Sequence, residues 1–65
     1  MIELKRIANK KYAAMKDNQE VGIVYVEESG AFALFCKDAF LVVRSKDIDL
    51  IKHNISKMPA KSAII

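Results

Sequence analysis

Between Val21 and Ser45 the apolar residues fall into three short runs, Val21–Glu28, Ala31–Lys37 and Ala39–Ser45. Val, Ile, Phe, Tyr and Leu dominate them, and these side chains suit a pleated, half-buried surface, so the pattern predicts three strands. Ser29 and Gly30 separate the first two runs. A two-residue connection containing Gly makes a tight hairpin, because Gly takes a positive φ without steric penalty. Lys37 and Asp38 form the second break, a weaker signal without Gly. With Ser29 and Gly30 as the turn, Val26 stands opposite Ala33, Tyr25 opposite Leu34 and Val24 opposite Phe35. Alternation then places Ile23, Tyr25, Phe32, Leu34, Leu41 and Val43 on one face, and Val24, Val26, Ala33, Phe35, Phe40 and Val42 on the other. Both faces are apolar. An antiparallel sheet with one wet side alternates apolar with polar residues, so this one calls for cover on both sides.

The flanking segments read as helices. From Ile2 to Asp17, 100° per residue gathers Leu4, Ile7, Ala8, Tyr12, Ala14 and Met15 on one arc, with Lys11 intruding, and puts Glu3, Lys5, Arg6, Asn9, Lys10, Lys16 and Asp17 on the other. Asn18 is a residue suited to end that helix. A competing reading takes the Ile2, Leu4 alternation as a first strand over residues 1–7 and shortens the helix to residues 9–17. After the strands, Ser45 or Asp47 can cap a second helix over residues 47–57, with Ile48, Leu50, Ile51, Ile55 and Met58 on one arc and Pro59 closing it. The tail 59–65 ends in Ala-Ile-Ile, which suggests docking on the sheet or pairing as an extra strand. The expected architecture is α+β: one domain over residues 1–65, a three-stranded antiparallel sheet between an N-terminal and a C-terminal helix.

Size changes the picture, because a chain of 65 residues buries only about 60% of its unfolded surface. Domains this small lean on a staple or a partner. The single cysteine, Cys36, excludes an intrachain disulfide, and no Cys/His cluster suggests a metal site. Packing and association remain. Charges within the first six residues argue against a secretory leader, and no apolar run approaches the ~20 residues of a membrane helix. The expectation is a soluble, cytoplasmic protein without a cofactor or a small-molecule substrate.

Candidate chemistry is sparse. His53, the only histidine, falls on the polar face of the second helix with no group to orient it as a general base. Cys36 sits in an apolar run, where a free thiol serves as a small hydrophobe. Glu27 and Glu28 point to opposite faces, Asp47 and Asp49 look like helix-start residues, and the two glycines belong to no phosphate loop. No enzyme is expected and no catalytic residue is assigned.

Charge offers one further feature. Lys5, Arg6, Lys10, Lys11 and Lys16 give the N-terminal segment five cations, enough for a phosphate-neutralising face, although the net charge of +3 is modest for a nucleic-acid binder. An α-β-β-β-α order with a basic first helix is similar in outline to double-stranded-RNA-binding domains and to toxins of the mRNA-interferase type. His53 lies outside the strands where those toxins carry their histidine, and Lys57-Met-Pro-Ala-Lys-Ser-Ala, with Pro59, does not match the basic last helix of the RNA binders. No family is recognised.

Association is the positive expectation. If both helices pack on one face, the other exposes Val24, Val26, Phe35, Phe40 and Val42, and a patch of that kind marks an interface. Pairing it about a two-fold axis would hide it. The sequence thus points to a small regulatory or interaction module, acting as a homodimer through its sheet, with a nucleic-acid-binding regulator using the basic N-terminal helix as the alternative. Small size and the lack of enzymatic motifs suit an accessory protein of a mobile element.

Overall fold

A computed structural model of the chain describes residues 1–58. The elements run β1 (Ile2–Ala8), β2 (Lys11–Lys16), β3 (Gln19–Val26), β4 (Phe32–Cys36), β5 (Leu41–Ser45) and α1 (Ile48–Ser56). The strands form one five-stranded antiparallel meander in the order β1-β2-β3-β4-β5.

The expected N-terminal helix is therefore absent: Ile2–Asp17 is the β1–β2 hairpin and the turn that follows it. The apolar residues of this segment satisfy two periods at once, and the turns decide between them. Asp17 and Asn18 both take positive φ, 53° and 68°, which is the backbone of a type I′ hairpin turn between Lys16 and Gln19. Asp and Asn tolerate that conformation, so the pair reverses the chain where a helix would have ended. Lys10, with φ 58°, turns β1 into β2. Forming the hairpin also pairs the edge that a three-stranded sheet would have left open along β3. The Ile2, Leu4 alternation is realised in β1, where these two are half-buried between exposed Glu3 and Lys5; residues 9–17, helical in the competing reading, hold β2. The outline similarity to RNA-binding domains and interferase toxins falls with the helix.

The second correction concerns register. Glu27 N–H donates to the Ala31 carbonyl at 2.8 Å and Gly30 N–H to the Glu27 carbonyl at 2.9 Å, so the β3–β4 turn has three residues, Glu28, Ser29 and Gly30, instead of two. Gly30 has φ 92°, the left-handed position of a turn that ends in a bulge. One extra residue shifts the pairing by one, and a one-residue shift moves every side chain to the opposite face. Val24 pairs with Leu34 and Ile23 with Phe35, where a two-residue turn would have given Val24 with Phe35.

Helix α1 covers one face of the sheet. Asp47 caps it by accepting the Asp49 N–H at 3.0 Å. Ile51 and Ile55 are fully buried against Ala14, Val21, Val24, Leu34 and Met58, and Ile2, Leu4, Tyr12, Phe32, Cys36, Val43 and Ile48 close the margin. Each fully buried Leu or Ile side chain contributes about 1.5–3 kcal/mol. Gly22 lies beneath this contact: a Cβ there would stand 2.3 Å from the Phe35 carbonyl oxygen and 3.2 Å from Met58 Cε. The end of α1 is tied back to the sheet by Lys16, whose Nζ donates to the carbonyls of Ser56 and Met58 at 2.9 and 2.8 Å. A cation suits this helix end, where unpaired carbonyls gather partial negative charge. The tail 59–65, expected to dock or pair as a strand, lies outside the described residues. No described helix is long and apolar enough to cross a membrane.

Candidate binding face

With α1 on one side, the other side of the sheet carries no described element. Cross-strand pairing defines what it presents. One row runs Lys5, Ala13, Ile23, Phe35 and Leu41 from β1 to β5; the next runs Lys11, Tyr25, Ala33 and Arg44. Ala13 and Ala33 are buried at 3% and 1% exposure despite standing on the uncovered side, because larger neighbours close over them. On the same face the Tyr25 and Phe35 rings meet edge to face at 83° with centroids 5.6 Å apart, the arrangement that ring quadrupoles favour. Lys11 Nζ stands 5.6 Å from the Tyr25 centroid, within cation–π range. Arg44 Nε reaches Glu27 Oε2 at 2.8 Å in a partly exposed ion pair.

Beside the aromatic pair the face dips into an open cleft of about 420 Å³, lined by Glu20, Ile23, Tyr25, Phe35, Cys36, Lys37 and Ala39. Its wall is apolar and its rim carries one acid and one base. Phe40 follows Ala39 and is 71% exposed, more than any other aromatic of the chain.

The residues anticipated as an interface divide. Val24 is fully buried in the core, and Val26 pairs with Phe32 on the helix side, so neither reaches the uncovered face. Phe35 lies on that face. Phe40 is exposed but stands opposite Cys36, in the row of Gly22 and Ala14, so it leaves the sheet on the helix side; Val42 is the extra residue in a bulge of the edge strand, between Leu41 opposite Phe35 and Val43 opposite Leu34. Ile23, Tyr25 and Leu41 belong to the face and were assigned to the other one by the two-residue turn. A three-residue turn with Gly in third place was the signal available for them.

The five cations divide as well, since no helix presents them together. Lys5 and Lys11 stand on the uncovered face, Arg6 is paired with Tyr12 in the row that continues to core Val24, and Lys10 occupies a turn. Lys16 is engaged by the carbonyls at the end of α1. His53 is exposed on α1, and Cys36 is a half-buried free thiol. Among the described residues no three His, Cys, Asp or Glu side chains converge as a metal site would require. Asp17 is held below the usual carboxylate range by its 2.6 Å hydrogen bond from the Met1 ammonium and the charge behind it. The geometry supplies an apolar, aromatic surface with a mixed-charge rim, suited to binding another surface. Comparison with family models, with curated protein sequences and with solved structures finds no match for the chain.

Proposed function

We propose that the protein is a non-enzymatic interaction module whose uncovered sheet face is its contact surface, closed by a second copy of the chain. One observation carries this reading: the helix covers a single face, while Ile23, Tyr25, Phe35 and Leu41 line the other. Tyr25 is 40% and Leu41 46% exposed, so large apolar side chains on this face meet solvent. Two-fold pairing is the simplest way for one chain to hide such a face, since the same patch serves both subunits. Five strands of ~5–8 residues, at ~4.8 Å spacing and ~3.4 Å rise, present roughly 500 Å² in projection. Side-chain relief brings that toward the ~800 Å² per partner of a stable interface. Cys36, unpaired, suits a reducing cytoplasmic setting, which is part of the proposal.

The test is the sedimentation mass of the wild-type chain against Leu41→Glu. A wild-type mass near twice 7.3 kDa, with the variant folded and single, supports the reading. A wild-type chain that stays single at every concentration refutes it. The second reading, a nucleic-acid-binding regulator, draws on Lys11 above Tyr25: a cation next to an exposed ring is the pairing that tracks a phosphate backbone while a base stacks. It moves the contact from the expected basic helix to Lys5, Lys11 and Tyr25. Retention of the wild-type chain on single-stranded DNA at low salt, lost in Lys11→Glu, would favour it.

A further inference from the structure

Charge is distributed unevenly along the strands of the uncovered face. Its middle row, Lys5, Ala13, Ile23, Phe35 and Leu41, is apolar apart from Lys5 on the edge strand. To one side of it the row Glu3, Met15 and Glu20 carries two acids. To the other side the row Lys11, Tyr25, Ala33 and Arg44 carries two bases. Met15 and Lys11 belong to one strand, and at about 3.4 Å per residue the two charged rows stand roughly 14 Å apart. Glu20 lines the cleft with Ile23 and Tyr25, which puts its side chain on this face. Neither Glu20 nor Lys11 takes part in an ion pair among the described residues. Lys37, just past β4, and Glu27, bonded to Arg44, have the opposite sign at the two ends.

Resting on the homodimer reading, we infer that the two copies stack with their strands antiparallel, each acidic row over the other's basic row and each Glu20 beside the partner subunit's Lys11. A two-fold axis that lays one face on itself lies in the plane between the sheets. Run along the strands, it sets every row on its own copy, and because β3 is central in the sheet, Glu20 meets the partner subunit's Glu20. Run across the strands, it keeps the middle row on itself, so that Ile23, Phe35 and Leu41 are covered, and exchanges the charged rows. Glu20 then stands over the row of Lys11 and Tyr25, about one strand spacing of ~4.8 Å from the lysine. The same rotation brings Lys37 toward the partner subunit's Glu27. Like charges brought face to face cost several-fold more than a rim pair gains, which selects the second arrangement. The twist of each sheet leaves the strand directions within about 30° of antiparallel.

Charge reversal in pairs tests the inference with the full chain. Glu20→Lys and Lys11→Glu, each alone, place like charges together and weaken the dimer roughly tenfold or more, whereas the double variant returns to near the wild-type affinity. Glu20→Gln separates the two axes: it weakens the antiparallel stack about two- to fivefold and strengthens a stack in which Glu20 faces its own copy. Sedimentation at several concentrations reads all these chains, with far-ultraviolet circular dichroism to show that each is folded. A dimer that is lost in Leu41→Glu but shows no rescue in the double variant, or tightens in Glu20→Gln, overturns the inference and leaves the homodimer reading standing. A wild-type chain that is single throughout overturns both, and capture by an oligonucleotide in that case identifies nucleic acid as the occupant.

Discussion

Two turns of the meander have the same hydrogen bonds and different residues at the demanding position, which makes their exchange a controlled experiment. In the β3–β4 turn Gly30 takes φ 92°; in the β4–β5 turn Ala39 takes φ 71°. Cys36 N–H donates to the Phe40 carbonyl at 3.0 Å and Ala39 N–H to the Cys36 carbonyl at 2.9 Å, matching the bonds made by Glu27 and Gly30. A left-handed residue with a Cβ costs roughly 1–2 kcal/mol. Glycine avoids that cost but loses about 0.5–1 kcal/mol through its freer unfolded chain. The difference predicts that Ala39→Gly stabilises by about 0.5–1 kcal/mol. Gly30→Ala should destabilise by a similar amount, and by backbone strain alone, because nothing lies within 4 Å of the added Cβ. For a domain this small, such changes move Tm by roughly 2–8 °C. The assay is thermal unfolding followed by circular dichroism at one fixed protein concentration, since association would raise Tm with concentration. The double exchange should melt near the wild type, the two turns lying at opposite ends of β4. A lower Tm for Ala39→Gly, or an unchanged one for Gly30→Ala, would refute the turn assignment and with it the register that defines the uncovered face.

Three further outcomes follow from the packing. Gly22→Ala drives a methyl group against the Phe35 carbonyl and should destabilise by about 1–3 kcal/mol in urea titration, since backbone must move to admit it. Lys16→Met removes both hydrogen bonds to the carbonyls of Ser56 and Met58; a loss of about 1 kcal/mol and faster amide exchange in the last turn of α1 are expected. Asp17 titrates below its unfolded value because of the Met1 ammonium, so its stabilising contribution is present above the usual carboxylate range and lost as pH falls through the lowered value. The Tm difference between wild type and Asp17→Asn, which keeps a turn-forming residue, should therefore shrink on acidification from neutral pH through that range.

The parts of the fold that could be read from the chain are those where one signal acts alone. Asp47, the Ile51 and Ile55 spacing and Pro59 all point to α1, and no strand pattern competes with them. The three apolar runs became β3, β4 and β5 with their ends moved by no more than two residues. Residues 2–17 were ambiguous because Leu4, Tyr12 and Ala14 lie on one face of either a helix or a hairpin. The deciding information was in Asp17 and Asn18, whose adjacent left-handed conformations specify a reversal; Lys11 on the apolar arc was the symptom that the helical period was wrong. The binding face depended on counting a turn. Placing Glu28 in the turn instead of in the strand exchanges Val24 for Ile23 opposite Phe35, and so exchanges core for surface. That both faces were apolar was legible from Val24 and Leu34 alternating with Ile23, Tyr25 and Phe35; which residues shared a face required the register.

The central claim, that the uncovered sheet face meets a second copy of the chain, is tested most directly by an isotope-filtered nuclear Overhauser experiment on an equal mixture of labelled and unlabelled protein. The account predicts cross-peaks between copies from the side chains of Tyr25, Phe35 and Leu41, and none from Leu50, which is exposed on α1. Contacts between copies confined to α1, or no contacts at any concentration, would contradict it.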